Sequence, residues 1–186
     1  MTAGGIRDRF RAQMRQEVKD AALRQLADGG AGALSINAIA KELGVSGPAL
    51  YRYFAGRDAL LTELILDAYA DLTAAISLAS RPPDLAAAYR AWATAHPHRY
   101  RLLFGTPLPG YDPHHDGLTD AARQVMAVLR TSAEPGPEPA VALRTVGLWS
   151  RLHGFVSLEI EGNFRALGLD PDHYFAAEVD TLRSAR

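Results

Sequence analysis

A chain of 186 residues, 48% of them apolar, can bury a real core as one domain or one and a half. The absence of cysteine excludes disulfides, thiolate metal sites and a cysteine nucleophile, and the net charge of −1 argues against a general polyanion binder. No apolar run is long enough to span a bilayer and the N-terminus lacks the apolar core of a signal peptide, so a soluble, cytoplasmic protein is expected.

Taken in chain order, Arg7 to Asp28 reads as a first helix, with Met14, Val18, Ala22 and Leu26 every four residues and Gly29-Gly30 ending it. Ser35 is placed to cap a second helix running to Leu43, on which Ile36, Ile39, Ala40 and Leu43 share one face. Gly44 falls where the chain must leave that helix in a left-handed conformation. Ser46 is a suitable N-cap for a third, very short helix, and Pro48 falls in its first turn, where the missing N–H costs nothing. Leu50 and Phe54, four apart, point into the core, Gly47 and Tyr51 share another face, and Arg52 and Tyr53 flank it. Tyr51 and Tyr53 cannot both join Leu50 inside, because a helix advances about 100° per residue. Two helices, a three-residue turn and an aromatic, cationic outward face describe a helix-turn-helix.

Beyond it, a long helix from Asp58 to about Ser80 places Leu61, Leu64, Ile65, Ala68, Leu72, Ala75 and Ile76 at helical spacing, and Arg81-Pro82-Pro83 stops it. Two shorter helices follow, Asp84 to Ala95 and His98 to Phe104. A Pro/Gly-rich loop spans Gly105 to Gly117, and a further helix runs from Leu118 to Arg130. After the break at Glu134-Pro135-Gly136-Pro137, Pro139 to Gly162 forms the longest apolar helix, and Asp170-Pro171 caps a last one through Leu182. The expectation is an all-α chain of about nine helices.

The run from Ser35 to Leu61 resembles the DNA-binding domain of the TetR family of bacterial transcriptional regulators. The small-residue turn is Gly44-Val45-Ser46, the aromatic segment Leu50-Tyr51-Arg52-Tyr53-Phe54, and the next helix start Asp58-Ala59-Leu60-Leu61. The resemblance implies a helix-turn-helix domain over residues 1–57 and a helical ligand-binding and dimerisation domain over 58–186. It also implies that Tyr51, Tyr53 and Arg57 contact phosphates, while Ser46, Gly47, Pro48 and Arg52 lie near base edges of double-stranded operator DNA. Gly47 and Pro48 offer no side-chain hydrogen bond, so Arg52 is the first candidate for reading a guanine. Ser35 and Asn37 stand at a helix start, which attracts phosphate. Residues 1–60 carry nine basic and six acidic side chains and the remainder eleven and fifteen, a mildly basic head on an acidic body. Arg7, Arg9, Arg11 and Arg15 form either an arm toward an adjacent groove or an ordinary solvated face, since the chain has 18 Arg against only Lys19 and Lys41.

A second constellation is Leu148-Trp149-Ser150-Arg151-Leu152-His153-Gly154-Phe155, inside a helix apolar on most sides and therefore read as buried all round. Gly147, Ser150, Gly154 and Ser157 make a stripe of small side chains that admits another helix closely. The segment is similar to the C-terminal domain of a TetR subgroup with a Trp-His-Gly signature, which implies a homodimer paired through Pro139–Gly162 and Pro171–Leu182. In that family the helices bearing Tyr89, Trp92, Tyr100, Phe104 and Met126, with Trp149, Leu152, His153 and Phe155 beside them, enclose a pocket for a small-molecule inducer. Its apolar and aromatic lining suits a hydrophobic or aromatic molecule. His153 serves either as a sensing group or as a hydrogen-bonded core histidine.

His96, His98, His114, His115 and Asp116 have no helical ligand spacing, so neither a metal nor a cofactor is expected there. No Gly-rich phosphate loop, nucleophile elbow or HExxH is present, and an enzyme is not expected. A repressor released from a near-palindromic operator by its ligand is the reading that follows. The alternatives are an activator of the same family, or a ligand-binding protein that keeps the helix-turn-helix but has lost operator binding.

Overall fold

The computed structural model describes residues 3–105, 110–112, 116–132 and 135–184, and all regular structure among them is helical. Helix α1 (Ala3–Gly29) is followed by a single 3-10 turn. The head continues with α2 (Ile36–Glu42) and α3 (Gly47–Leu50). The long α4 (Arg57–Ser77) leads to α5 (Pro82–Ala95), α6 (Pro97–Phe104) and α7 (Asp116–Thr131). Then come α8 (Glu138–Ile160), the one-turn α9 (Asn163–Ala166) and α10 (Pro171–Ser184).

Among the described residues the count exceeds the sequence expectation by α9, a single turn between two left-handed glycines, Gly162 and Gly168. Pro82 and Pro83 also do more than stop α4. They occupy the first turn of α5, where a proline's fixed φ is already helical. At the last helix Asp170 does cap: its Oδ1 accepts a hydrogen bond from the Asp172 amide at 3.0 Å.

Two apolar clusters form the interior. The first gathers Val18, Ala22 and Leu26 of α1, Ile36 and Ile39 of α2, Leu50, Phe54, and Leu60, Leu61, Leu64 and Ile65 of α4. The second gathers Leu72 and Ile76 of α4 with Leu85, Tyr89 and Trp92 of α5, Tyr100 of α6, Leu129 of α7, Leu152 and Val156 of α8 and Phe175 of α10. Helix α4 therefore runs through both, its first half buried in the head and its second half in the body. The clusters also interleave elsewhere. Leu118 of α7 is only 2% exposed and belongs to the first cluster, against which Leu102 and Leu103 of α6 and Tyr111 also pack.

Ion pairs fasten α1 along α4 at spacings a sequence cannot display. Lys19 reaches Asp67 at 2.8 Å and Glu63 at 3.2 Å, and Arg15 pairs with Glu63. In the body, Arg90 of α5 donates to both oxygens of Glu159 on α8 (2.7 and 2.6 Å) and to Asp172 of α10 (2.6 Å), with its guanidinium 4.7 Å from the Phe175 ring centroid. A bidentate, partly buried pair of this kind fixes relative helix position more strongly than an exposed one.

Helix α8 corrects one expectation. It is not buried all round within one chain: Val141, Thr145, Leu148, Leu152 and Val156 face the core, while Leu143, Val146, Gly147, Ser150, Gly154 and Leu158 are exposed. Continuous apolarity arises because two opposite faces are both apolar, one of them outward.

Candidate functional site

The head's turn is built from local rules. Ser35 Oγ accepts from the Ala38 amide at 3.3 Å, capping α2, and Gln25 of α1 accepts from the Ser35 amide at 2.9 Å. At the other end the Val45 amide donates to the Ala40 carbonyl (2.9 Å) and the Gly44 amide to the Lys41 carbonyl (3.3 Å), with Gly44 at φ +67°. This is the paired 6→1 and 5→2 helix stop, and it requires a left-handed residue that glycine supplies without strain. Ser46 holds the N-cap position of α3 in extended conformation, but its side chain makes no capping bond, contrary to the sequence expectation. With Pro48 in the first turn, one of the orphan amides a cap would serve is missing anyway.

Helix α3 ends regularly at Leu50, and the chain continues as turns through Tyr53. Leu50 and Phe54 are buried. Tyr51 is 51% exposed, and Arg52, Ser46, Pro48 and Asn37 are exposed with it. Ser35, Gly47, Tyr53 and Arg57 are half-buried, and Tyr53 packs on the head's core. Gly47 and Asn37 adjoin: a Cβ at position 47 would stand 3.2 Å from Asn37 Oδ1. The outward face is thus a continuous polar and aromatic surface over a hydrophobic floor.

The N-terminal arginines divide. Arg15 is no arm: it donates to the Tyr53 carbonyl, pairs with Glu63, and lies 4.4 Å from the Phe54 ring centroid. Arg7 and Arg11, with Ile6 and Phe10, line an open groove of about 420 Å³ beside Arg52 and Tyr53. Arg9 donates to the Gly5 carbonyl within its own helix.

In the body, eight of the nine expected pocket residues are in the second cluster or packed against it, and the ninth, His153, stacks on its Tyr100. Tyr100 packs edge-on to Tyr89 (centroids 6.4 Å), against Phe104 (4.9 Å) and stacked on His153 (5.8 Å), and Trp149 lies 6.0 Å from His153. Leu152 is buried beside them and Met126 packs at the edge. Phe155 is on another side: its ring meets Phe164 at 4.8 Å and Phe175 at 5.3 Å. It stands two residues from His153, about 200° around the helix, and braces α8 against α9 and α10.

Hydrogen bonding within the cluster is selective. The Tyr100 hydroxyl lies 2.8 Å from His153 Nδ1 and 3.1 Å from the His153 carbonyl. A phenol has one proton, so serving both contacts has Tyr100 donating to the carbonyl and His153 Nδ1–H donating to the phenol oxygen. Burial pushes the Tyr100 phenol up to about 12 and holds the His153 imidazole below its ordinary range, so both are neutral at pH 7. His96 and His98 sit at the α5–α6 junction. His114 and His115 lie outside the described residues, as does the side chain of Asp116. No group of three ligating side chains suited to a metal occurs among the described residues.

Comparison with known families decides the assignment. Residues 19–64 match the model for bacterial regulatory proteins of the tetR family, and residues 83–182 match the tetracyclin repressor-like C-terminal domain. The chain belongs to the TetR family. It is 32% identical to the HTH-type transcriptional regulator Rv1816 of Mycobacterium tuberculosis, covering 96% of this chain and 94% of that one. It is 35% identical to a second regulator of that organism, Rv0681, over 80% of this chain and 71% of the other. A crystal structure of a regulatory protein, SCO4313, superposes with a TM-score of 0.87 at 44% identity, covering 94% of this chain and 97% of that one. As a TetR-family transcriptional regulator the chain joins a DNA-binding helix-turn-helix to a C-terminal ligand-binding domain. No helix among its described residues is long and apolar enough to cross a membrane.

Sequence reasoning missed the residues that couple the two halves of this TetR-family chain. Tyr111, in the segment between α6 and α7, shares a 2.9 Å hydrogen bond with Thr62 of α4, and Leu118 completes the head's core. Thr62 is 49 residues from Tyr111, the other buried residues of Leu118's cluster lie between Val18 and Ile65, and no local pattern marks either link.

Proposed function

We propose that the chain acts in the cytoplasm as a homodimeric repressor, occupying a near-palindromic operator and leaving it when a small hydrophobic or aromatic ligand enters the sensor core. The division falls at residue 57: a head of residues 1–57 reads DNA, and residues 58–186 sense and dimerise. Carrying the switch is α4, buried in the head through Leu61 and Leu64 and in the sensor core through Leu72 and Ile76. A shift among the aromatic side chains cannot leave α4 in place without opening a gap, because packed interiors are bistable rather than compliant.

In this reading Arg52 takes a base edge, with Ser46, Gly47 and Pro48 close to the groove floor. Tyr51, Tyr53, Arg57, Ser35 and Asn37 hold phosphates. Dimerisation uses the outward face of α8 and α10. Leu143 is 76% exposed there, Val146, Leu158 and Tyr174 are exposed as well, and among the described residues nothing outside its own stretch of helix lies within 4 Å of a Cβ placed on Gly147 or Gly154. So large an uncovered apolar face suits a partner helix pair, with Ser150 and Ser157 on the same stripe. Two-fold pairing sets the recognition helices about 34–36 Å apart, one turn of DNA. A ligand that favours a splayed dimer shifts the population by its differential affinity for that state alone.

The test is a gel shift against the chain's own upstream DNA, followed by footprinting. A two-fold protected site that ligand releases is the expected result. Protection strengthened by ligand indicates an activator, and no sequence-dependent retention means the head has lost operator binding.

A further inference from the structure

Two buried polar atoms on α5 have no hydrogen-bond partner among the described residues: the Tyr89 hydroxyl and the Trp92 indole nitrogen. Their side chains are 0% and 6% exposed, and they stand three residues apart on the core-facing side of one helix. Folded proteins leave few such groups unpaired, because a desolvated donor without an acceptor is costly. Tyr100 and Trp149 approach the Tyr89 hydroxyl closely enough to influence its ionisation, yet neither completes a hydrogen bond with it. The Tyr100 hydroxyl is engaged with His153 instead.

We propose that the sensor core is built for an uncharged ligand bearing a hydrogen-bond-accepting oxygen, such as a ketone, ester or lactone carbonyl on an apolar body, received by the Trp92 indole and the Tyr89 hydroxyl. This assignment rests on the ligand-sensor reading above and narrows its chemistry. An indole N–H donates and never accepts, so the group that satisfies Trp92 must be an acceptor. Charge is disfavoured by the surroundings. The buried residues around Tyr89 and Trp92 include Leu72, Leu85, Leu129, Leu148 and Val156, an apolar setting. Arg90 is paired with Glu159 and Asp172, and Arg101 with Glu161. Burial also pushes the Tyr89 phenol up and the His153 imidazole down, leaving both neutral. A carboxylate entering here competes with Glu159, Asp172 and Glu161 for those arginines while losing its hydration.

The experiment uses the full chain and three probes of one size: acetophenone, ethylbenzene and benzoate, titrated by calorimetry. Acetophenone is expected to bind roughly tenfold or more tightly than either of the others, and Tyr89→Phe and Trp92→Phe each to remove about five- to tenfold of that affinity. In the free protein Tyr89→Phe is expected to raise Tm by about 2–4 °C, because the substitution deletes an unpaired hydroxyl while keeping the ring. Benzoate or ethylbenzene binding as tightly as acetophenone overturns the assignment. So does failure of acetophenone to bind, or a lowered Tm in Tyr89→Phe, which reveals a partner already present in the free protein. The regulator reading has its own readout in the gel shift: an operator released by benzoate keeps the regulator and removes this ligand class. A chain that binds acetophenone but retains no DNA does the reverse.

Discussion

Arg15 of α1 lays its guanidinium 4.4 Å from the centroid of the Phe54 ring and donates to the carbonyl of Tyr53. One side chain therefore holds both the buried anchor and the backbone of the segment that follows the recognition helix, and its ion pair with Glu63 ties that segment to α4.

Arg15→Ala is accordingly expected to weaken DNA binding without any contact to DNA. Loss of a partly exposed cation–π contact and ion pair costs about 1 kcal/mol of stability. Chemical denaturation measures that cost, and a gel shift on the variant measures the accompanying loss of operator affinity. Wild-type operator affinity in a destabilised Arg15→Ala removes the positioning role.

Arg52 is exposed at the end of the recognition segment, and Arg52→Ala is expected to cost about 1–3 kcal/mol of operator affinity and to relax preference at one base pair of each half-site. Selection of bound sequences from a random pool reads both effects. Tyr51→Phe, by contrast, is expected to weaken all sequences alike, since the contact proposed for Tyr51 is to a phosphate, which carries no base information.

Gly154→Leu tests the outward face of α8. Among the described residues a Cβ here meets nothing within 4 Å beyond its own stretch of helix, so the added bulk spares the fold and falls on the proposed interface. Sedimentation is expected to give a monomer with unchanged helical content by circular dichroism. A dimer of wild-type stability places the interface elsewhere.

Stability should fall on the acid side through His153. Burial lowers its folded pKa below the unfolded value of about 6.5, so the unfolded chain binds the proton more readily. The contribution is complete above the unfolded pKa, is lost as pH drops through and below it, and levels off under the folded value. Melting curves from pH 7.5 to 5 are expected to decline more steeply in the wild type than in His153→Gln. Parallel curves contradict a half-buried, neutral imidazole.

Much of the head was legible because its determinants are local. Ser35, Gly44 and Pro48 each act within five residues, through a cap, a left-handed stop and a first-turn proline, and such rules need no tertiary knowledge. The body was legible as helices but not as faces. Apolarity on both sides of α8 reads the same whether the second side meets its own chain or another. The side of α8 that Phe155 takes was legible too: its angular distance from His153 along the helix already separates the two. Arg15 could not be told from its neighbouring arginines, since Tyr53 and Glu63 lie 38 and 48 residues on.

A leucine from the seventh helix sits at 2% exposure among residues of the first four. The DNA reader is therefore not a detachable cartridge. Grafting it onto a foreign sensor exports an interior with one wall missing, and a chimera between relatives inherits working specificity only when the surfaces of Leu102, Leu103 and Leu118 travel with it.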